Sequence, residues 1–134
     1  MHVDGSCHCG AIRYEAEIDP RRVGLCHCTD CQTFGSSAFR IAVLADSDAF
    51  TLLSGTPTLY EKVAESGSPR LMAFCSTCGT HVYGTTEGDG PKSYSLRVGT
   101  MAQASELRPV ARVWCRSAPE WMDEFASLHQ IETQ

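Results

Sequence analysis

An all-β architecture, built mainly from antiparallel sheets, is predicted by three features of this sequence. Apolar and polar residues alternate over short segments. Turn-forming Gly, Pro, Ser and Asp recur about every ten residues, and no long stretch carries helical periodicity. Taken in order, Ile12, Tyr14, Ala16 and Ile18 alternate with Arg13, Glu15 and Glu17, the period of a half-buried strand. Phe39 to Leu44 is a short apolar run fit for a central strand, and Phe50 to Leu53 follows, stopped by Ser54-Gly55. Leu59 to Val63 and Leu71 to Phe74 are the next strands, then one through Val82 and Tyr83. Tyr94, Leu96 and Val98 alternate with Ser95 and Arg97, and Val110 to Trp114 is the last strand. Beyond Ala118, Trp121, Met122, Phe125 and Leu128 have the spacing of a short terminal helix. The segments Glu65–Pro69 and Glu87–Pro91 are turn-rich loops.

Composition narrows the function classes. A chain of 134 residues, 43% hydrophobic and 20% charged, fits one domain over 1–134 with no internal linker. No apolar run approaches the roughly 20 residues of a membrane helix. A net charge of −5 argues against a nucleic-acid or anionic-membrane partner. Met1 to Ser6 has neither the basic cluster nor the apolar run of a secretory signal, so a cytoplasmic location is expected. In that reducing compartment clustered cysteines bind metal more often than they form disulfides.

Seven of the eight cysteines fall into three groups: Cys7-His8-Cys9-Gly10, Cys26-His27-Cys28-Thr29-Asp30-Cys31, and Cys75-Ser76-Thr77-Cys78-Gly79. In extended chain, side chains at i and i+2 leave the same face, so C-x-C presents two sulfurs to one ion. C-x-x-C makes a tight turn with converging sulfurs, and the glycine after it supplies a left-handed conformation. Seven thiolate ligands divide into four and three: a closed tetrahedral site, and one that leaves a coordination position for water or substrate. Cys7, Cys9, Cys75 and Cys78 are assigned to the closed set and Cys26, Cys28 and Cys31 to the open one, although by spacing alone either C-x-C could serve either C-x-x-C. Thr29 and Asp30 are candidate caps of a short helix starting near Cys31 and stopping at Gly35. A helix start lowers thiolate pKa, and an ion held there would sit beside the donors of Gly35, Ser36 and Ser37.

These motifs resemble those of the glutathione-dependent formaldehyde-activating (GFA) family, which includes the centromere protein V relatives. The resemblance lies in Gly5 to Tyr14, in Cys26 to Cys31 with Gly35-Ser36, in Phe74 to Thr80, and in Val113-Trp114 with Pro119 and Trp121. It runs from about Gly5 to Trp121. It implies a β-tent fold, a structural zinc on Cys7, Cys9, Cys75 and Cys78, and a labile, catalytic-type zinc on Cys26, Cys28 and Cys31: two ions per chain. The activity implied is that of a carbon–sulfur lyase that reversibly condenses formaldehyde with glutathione to S-hydroxymethylglutathione. Arg40, Lys62 and Arg97 could meet glutathione's carboxylates, but nothing in the sequence singles them out. This chain is shorter than characterised members of the family.

Two other functions use the same residues: a scaffold in which both zinc sites are structural, and a redox or zinc-handling protein working through the labile cysteines. Cys115 reads as a packing residue in the last strand, and Trp114 and Trp121 as packing at the core and rim. His8 and His27, each between two ligands, are expected to point away from metal, and His81 to lie in a strand. Asp30 suits either a general base or a helix cap.

Overall fold

A computed structural model describes all residues, 1–134. It contains ten strands: β1 (His2–Ser6), β2 (Arg13–Glu17), β3 (Val23–Cys26), β4 (Arg40–Asp46), β5 (Phe50–Ser54), β6 (Thr58–Val63), β7 (Pro69–Phe74), β8 (His81–Thr86), β9 (Ser93–Arg97) and β10 (Ala111–Val113). One α-helix, α1 (Thr29–Gly35), and short 3₁₀ turns complete it. The predicted all-β class therefore holds. β1, β2 and β5 form a three-stranded sheet, in the order β1-β2-β5; the other strands form a seven-stranded sheet in the order β10-β3-β4-β9-β8-β7-β6. Every pairing is antiparallel except β10 with β3.

The core lies where the two sheets face each other. Val3, Tyr14 and Ala16 from the small sheet meet Val23, Val43, Ala45 and Leu96 from the large one. Phe50 fills the remaining space, stacked on Tyr94 at 4.5 Å between centroids and edge-on to Tyr83 at 5.3 Å. Because side chains alternate along a strand, burying Val43 and Leu96 on this side sends Ala42 and Arg97 to the opposite face. Those two are register partners, as are Cys26 and Arg40 on β3 and β4. The large sheet thus has one apolar face packed on the small sheet and a second face of different chemistry.

Three expectations need correction. β1 and β3 are strands that patterning does not reveal, because each is short and carries a glycine, Gly5 or Gly24; cross-strand pairing stabilises them. The segment after Ala118 forms two 3₁₀ turns, Glu120–Asp123 and Phe125–Ser127, rather than a helix. Only Met122 in these turns is buried, too little apolar contact to offset helix nucleation. Cys115 is exposed in a 3₁₀ turn after β10, because Trp114 turns left-handed at φ 57° and ends the extended chain.

Candidate metal centres and the adjoining cavity

The first cysteine cluster joins the two sheets. Cys7 and Cys9 lie in the turn leaving β1, and Cys75 and Cys78 in the turn between β7 and β8. All four Sγ atoms lie within 4.8 Å of one another, with Cys7 to Cys9 at 3.6 Å and Cys9 to Cys75 at 3.7 Å. The two turns are built alike. Gly10 (φ 80°) and Gly79 (φ 74°) both adopt the left-handed conformation and return an N–H to the first cysteine's carbonyl, at 3.0 and 2.8 Å. The Cys7 pair therefore converges through a turn, rather than through the pleat of an extended strand. Donors already point at the sulfurs: the Ile12 N–H donates to Cys7 Sγ at 3.3 Å, and the Thr80 hydroxyl lies 3.2 Å from Cys78 Sγ. That hydroxyl, followed by the Thr80 N–H, brings the Cys78 thiol down to about 5.

The second cluster is local. Cys26 ends β3, Cys28 precedes α1, and Cys31 sits in its first turn, with the three Sγ atoms within 4.8 Å of one another. The helix cap is Cys28 itself, whose sulfur accepts from the Cys31 N–H at 3.3 Å; Asp30 instead pairs with Lys62. The N–H groups of Ser36 and Ser37 close the helix C-terminus on Gln32 and Thr33 carbonyls, so the donors at the sulfurs are others. They are the N–H groups of Cys28 and Cys31 and the Arg40 guanidinium, whose Nη2 donates to Cys31 Sγ at 3.3 Å. Burial foremost, and the Cys31 sulfur, push the Cys26 thiol up to about 12 even with the Cys28 N–H beside it. Three crowded thiols with donors aimed at them suit a metal that would replace their protons. The donor set of both clusters fits zinc, which accepts four thiolates, or three with one open position.

His27 points away from the sulfurs, as expected. It is fully buried, its Nδ1 donates to the Ala38 carbonyl at 2.8 Å, and its Nε2 accepts from Arg112 Nε at 3.3 Å. His8 is exposed and His81 begins β8. Burial foremost, then the charges of Arg40 and Arg97, keep the His81 pKa low.

The outer face of the large sheet forms a cavity of about 430 Å³ beside the second cluster. Cys26 and Cys31 line it together with Arg21, Arg22, Arg40, Lys62, Arg70 and Arg97, and no carboxylate does. Six of the chain's eleven Lys and Arg residues thus line one cavity of a protein with net charge −5. Cys28 opens on a neighbouring cavity lined by Asp30, Lys62, Glu65, Trp114 and Arg116. Trp114 stands there half-exposed with the Arg116 guanidinium 4.8 Å above its ring, and Trp121 is likewise exposed, against Phe125. Neither tryptophan is a core residue.

The sequence profile of the family described as "Glutathione-dependent formaldehyde-activating enzyme" matches residues 2–117, a span that includes both clusters. The chain belongs to this family. A putative glutathione-dependent formaldehyde-activating enzyme of Halomonas elongata is 30% identical over 87 residues, 62% of this chain and 55% of that protein. An uncharacterised lyase of Schizosaccharomyces pombe is 29% identical over 89 residues, 66% of this chain and 61% of that protein. The matched regions span little more than half the length of these relatives. A crystal structure of a Rhodobacter sphaeroides protein superposes with a TM-score of 0.64 at 25% identity, covering 84% of this chain and all of the other.

In this GFA-family chain, the three cations named from sequence, Arg40, Lys62 and Arg97, come from three different strands to one cavity beside Cys26 and Cys31. Arg21, Arg22 and Arg70 join them. Alternation along β7 could have flagged Arg70, since Met72 shares its face; Arg21 and Arg22 lie in a 3₁₀ turn with no periodicity to read.

Proposed function

We propose that this chain is a zinc-dependent carbon–sulfur lyase, one domain holding two zinc ions, that forms and breaks the adduct of a thiol with an aldehyde. Glutathione and formaldehyde are the pair its family description indicates. The observation that carries the reading is the juxtaposition of a three-cysteine cluster with a cation-lined cavity large enough for a small anionic ligand. Cys7, Cys9, Cys75 and Cys78 would hold the structural ion, and Cys26, Cys28 and Cys31 the catalytic one. Zinc held by the three thiolates would supply the Lewis acidity that favours a thiolate over a thiol.

The chain's own residues do the rest. Arg40 donates to Cys31 Sγ and offsets the negative charge of the cluster. The cations of the cavity hold an anionic thiol in place, which converts a bimolecular encounter into a positioned one. In the forward direction the thiol sulfur bonds to the carbonyl carbon, and the proton leaving sulfur ends on the new hydroxyl oxygen. In reverse the carbon–sulfur bond breaks and the carbonyl returns.

Cobalt substitution tests this directly. Added glutathione is expected to perturb the sulfur-to-metal charge-transfer band of the three-cysteine site, leaving the four-cysteine site unchanged. Exchange between formaldehyde and its glutathione adduct, followed by NMR, should run faster than background with the wild-type protein and at background with Cys31→Ser. A second site that ignores added thiols would leave the scaffold function as the better description.

A further inference from the structure

The six cations of the cavity are not equivalent. Arg21, Arg22 and Lys62 each have a carboxylate partner, in Asp19, Asp46 and Asp30. Arg40, Arg70 and Arg97 have none. Arg97 is only 6% exposed, yet its contacts are Ser95 Oγ at 2.9 Å and the weak acceptor Met72 Sδ at 3.8 Å, and its Nε is buried with no partner at all. Arg40 has one arm on Cys31 Sγ, while its Nη1 is also buried and unpartnered.

Space has been left for this arrangement. Gly84 lies under the Arg97 guanidinium, where a Cβ would come within 2.9 Å of Nη2 and 3.1 Å of Met72 Cε. A buried guanidinium with unmet donors is costly unless an anion meets it. The cluster cannot do so alone: three thiolates with a divalent ion would leave one negative charge beside three guanidinium groups that have no carboxylate partner.

We propose that Arg97 and Arg40 form a receptor for a carboxylate carried by the substrate itself, beside the three-cysteine cluster. A guanidinium meets a carboxylate with two parallel N–H donors, a geometry that orients as well as attracts. The receptor selects adducts bearing a carboxylate over neutral adducts of the same size. The carboxylate can belong to the thiol half, as in glutathione, or to the carbonyl half, as in a 2-oxo acid. The inference rests on the proposed reading of this cavity as the substrate site, and Arg97 acts in it as a positioning residue.

Equilibrium binding by calorimetry on the zinc-loaded protein tests it without recourse to turnover. 3-Mercaptopropionate against 2-mercaptoethanol probes the thiol half, and glyoxylate against acetaldehyde probes the carbonyl half. In at least one pair the charged member should bind about 10-fold or more tightly, and the pair that discriminates identifies the source of the carboxylate. Arg97→Met should bring that ratio close to one through loss of affinity for the charged member. Equal affinities within both pairs for the wild-type protein would overturn the receptor, whether or not the variant folds. A full charged-ligand preference retained in folded Arg97→Met would overturn it too. Thiol–formaldehyde exchange with equal affinities would sink the receptor and keep the lyase; a carboxylate preference without exchange would do the reverse.

Discussion

Gly5 and Tyr14 show how one residue's identity is set by another across a strand pair. They are register partners on β1 and β2, and the Tyr14 ring occupies the space beside Gly5 where a side chain would go. A Cβ on Gly5 would sit 1.9 Å from Tyr14 Cζ, deep inside contact distance. Tyr14 cannot yield freely, because it is buried and its hydroxyl is 2.7 Å from Thr100 Oγ1. Gly5→Ala is therefore expected to destabilise by about 1–3 kcal/mol, the usual cost of overpacking a close-packed core. Urea unfolding should show a lower midpoint with an unchanged slope; an unaltered midpoint would mean that the ring swings aside without cost. Both residues stand in the motif that carries the family resemblance, but their dependence on each other is visible only once β1 and β2 are paired.

Seven of the eight cysteines fall in two clusters that differ in reach. The four-cysteine cluster joins turns about 70 residues apart in sequence, one from each sheet, so a metal there would act as a long-range cross-link between sheets. The three-cysteine cluster spans one strand end and the first turn of α1. Cys75→Ser should thus unfold the protein or lower its stability severely, since a structural zinc contributes on the order of 10 kcal/mol in small metal-dependent modules, an upper guide where a hydrophobic core also contributes. Cys28→Ser should remove one metal and leave far-UV circular dichroism nearly unchanged, because serine is itself a good helix cap and can replace the sulfur that accepts from the Cys31 N–H. Equal melting temperatures for the two variants would reject the division into structural and open sites.

At the scale of the whole molecule, the large sheet separates two chemistries: one face packs on the small sheet, and the other gathers unpaired cations around the open cluster. The four-cysteine cluster has Cys7 and Cys75 buried in the core, and its four thiolates would fill the positions of a tetrahedral ion. The open cluster borders two cavities. A chelator should accordingly take the second metal first. Native mass spectrometry during titration should show a one-zinc plateau; loss of both ions in a single step, or bound iron in place of zinc, would contradict the assignment.

The β class, the positions of most strands and the three cysteine groups are legible in the amino-acid sequence. Each of these is local: alternation of period two, turn residues, and ligand spacings of two or three residues are written in neighbouring positions. Counting divides seven ligands into four and three, while spacing alone lets either C-x-C serve either C-x-x-C; in the fold the sulfurs of Cys7, Cys9, Cys75 and Cys78 lie together, as do those of Cys26, Cys28 and Cys31. Thr29 and Asp30 are the residue types that usually cap, whereas the cap of α1 is the sulfur of Cys28. β1, β3, the exposed turn of Cys115 and the terminal 3₁₀ turns depended on partners, or on their absence, elsewhere in the fold. The cation-lined cavity exists only in the folded chain. Arg40, Arg70 and Arg97 lie on three strands, and nothing in their own segments indicates that they face one cavity. Their convergence follows from sheet order and register, which bring β4 beside β9 and β7 beside β8, and from Gly84, whose missing side chain leaves room for a guanidinium.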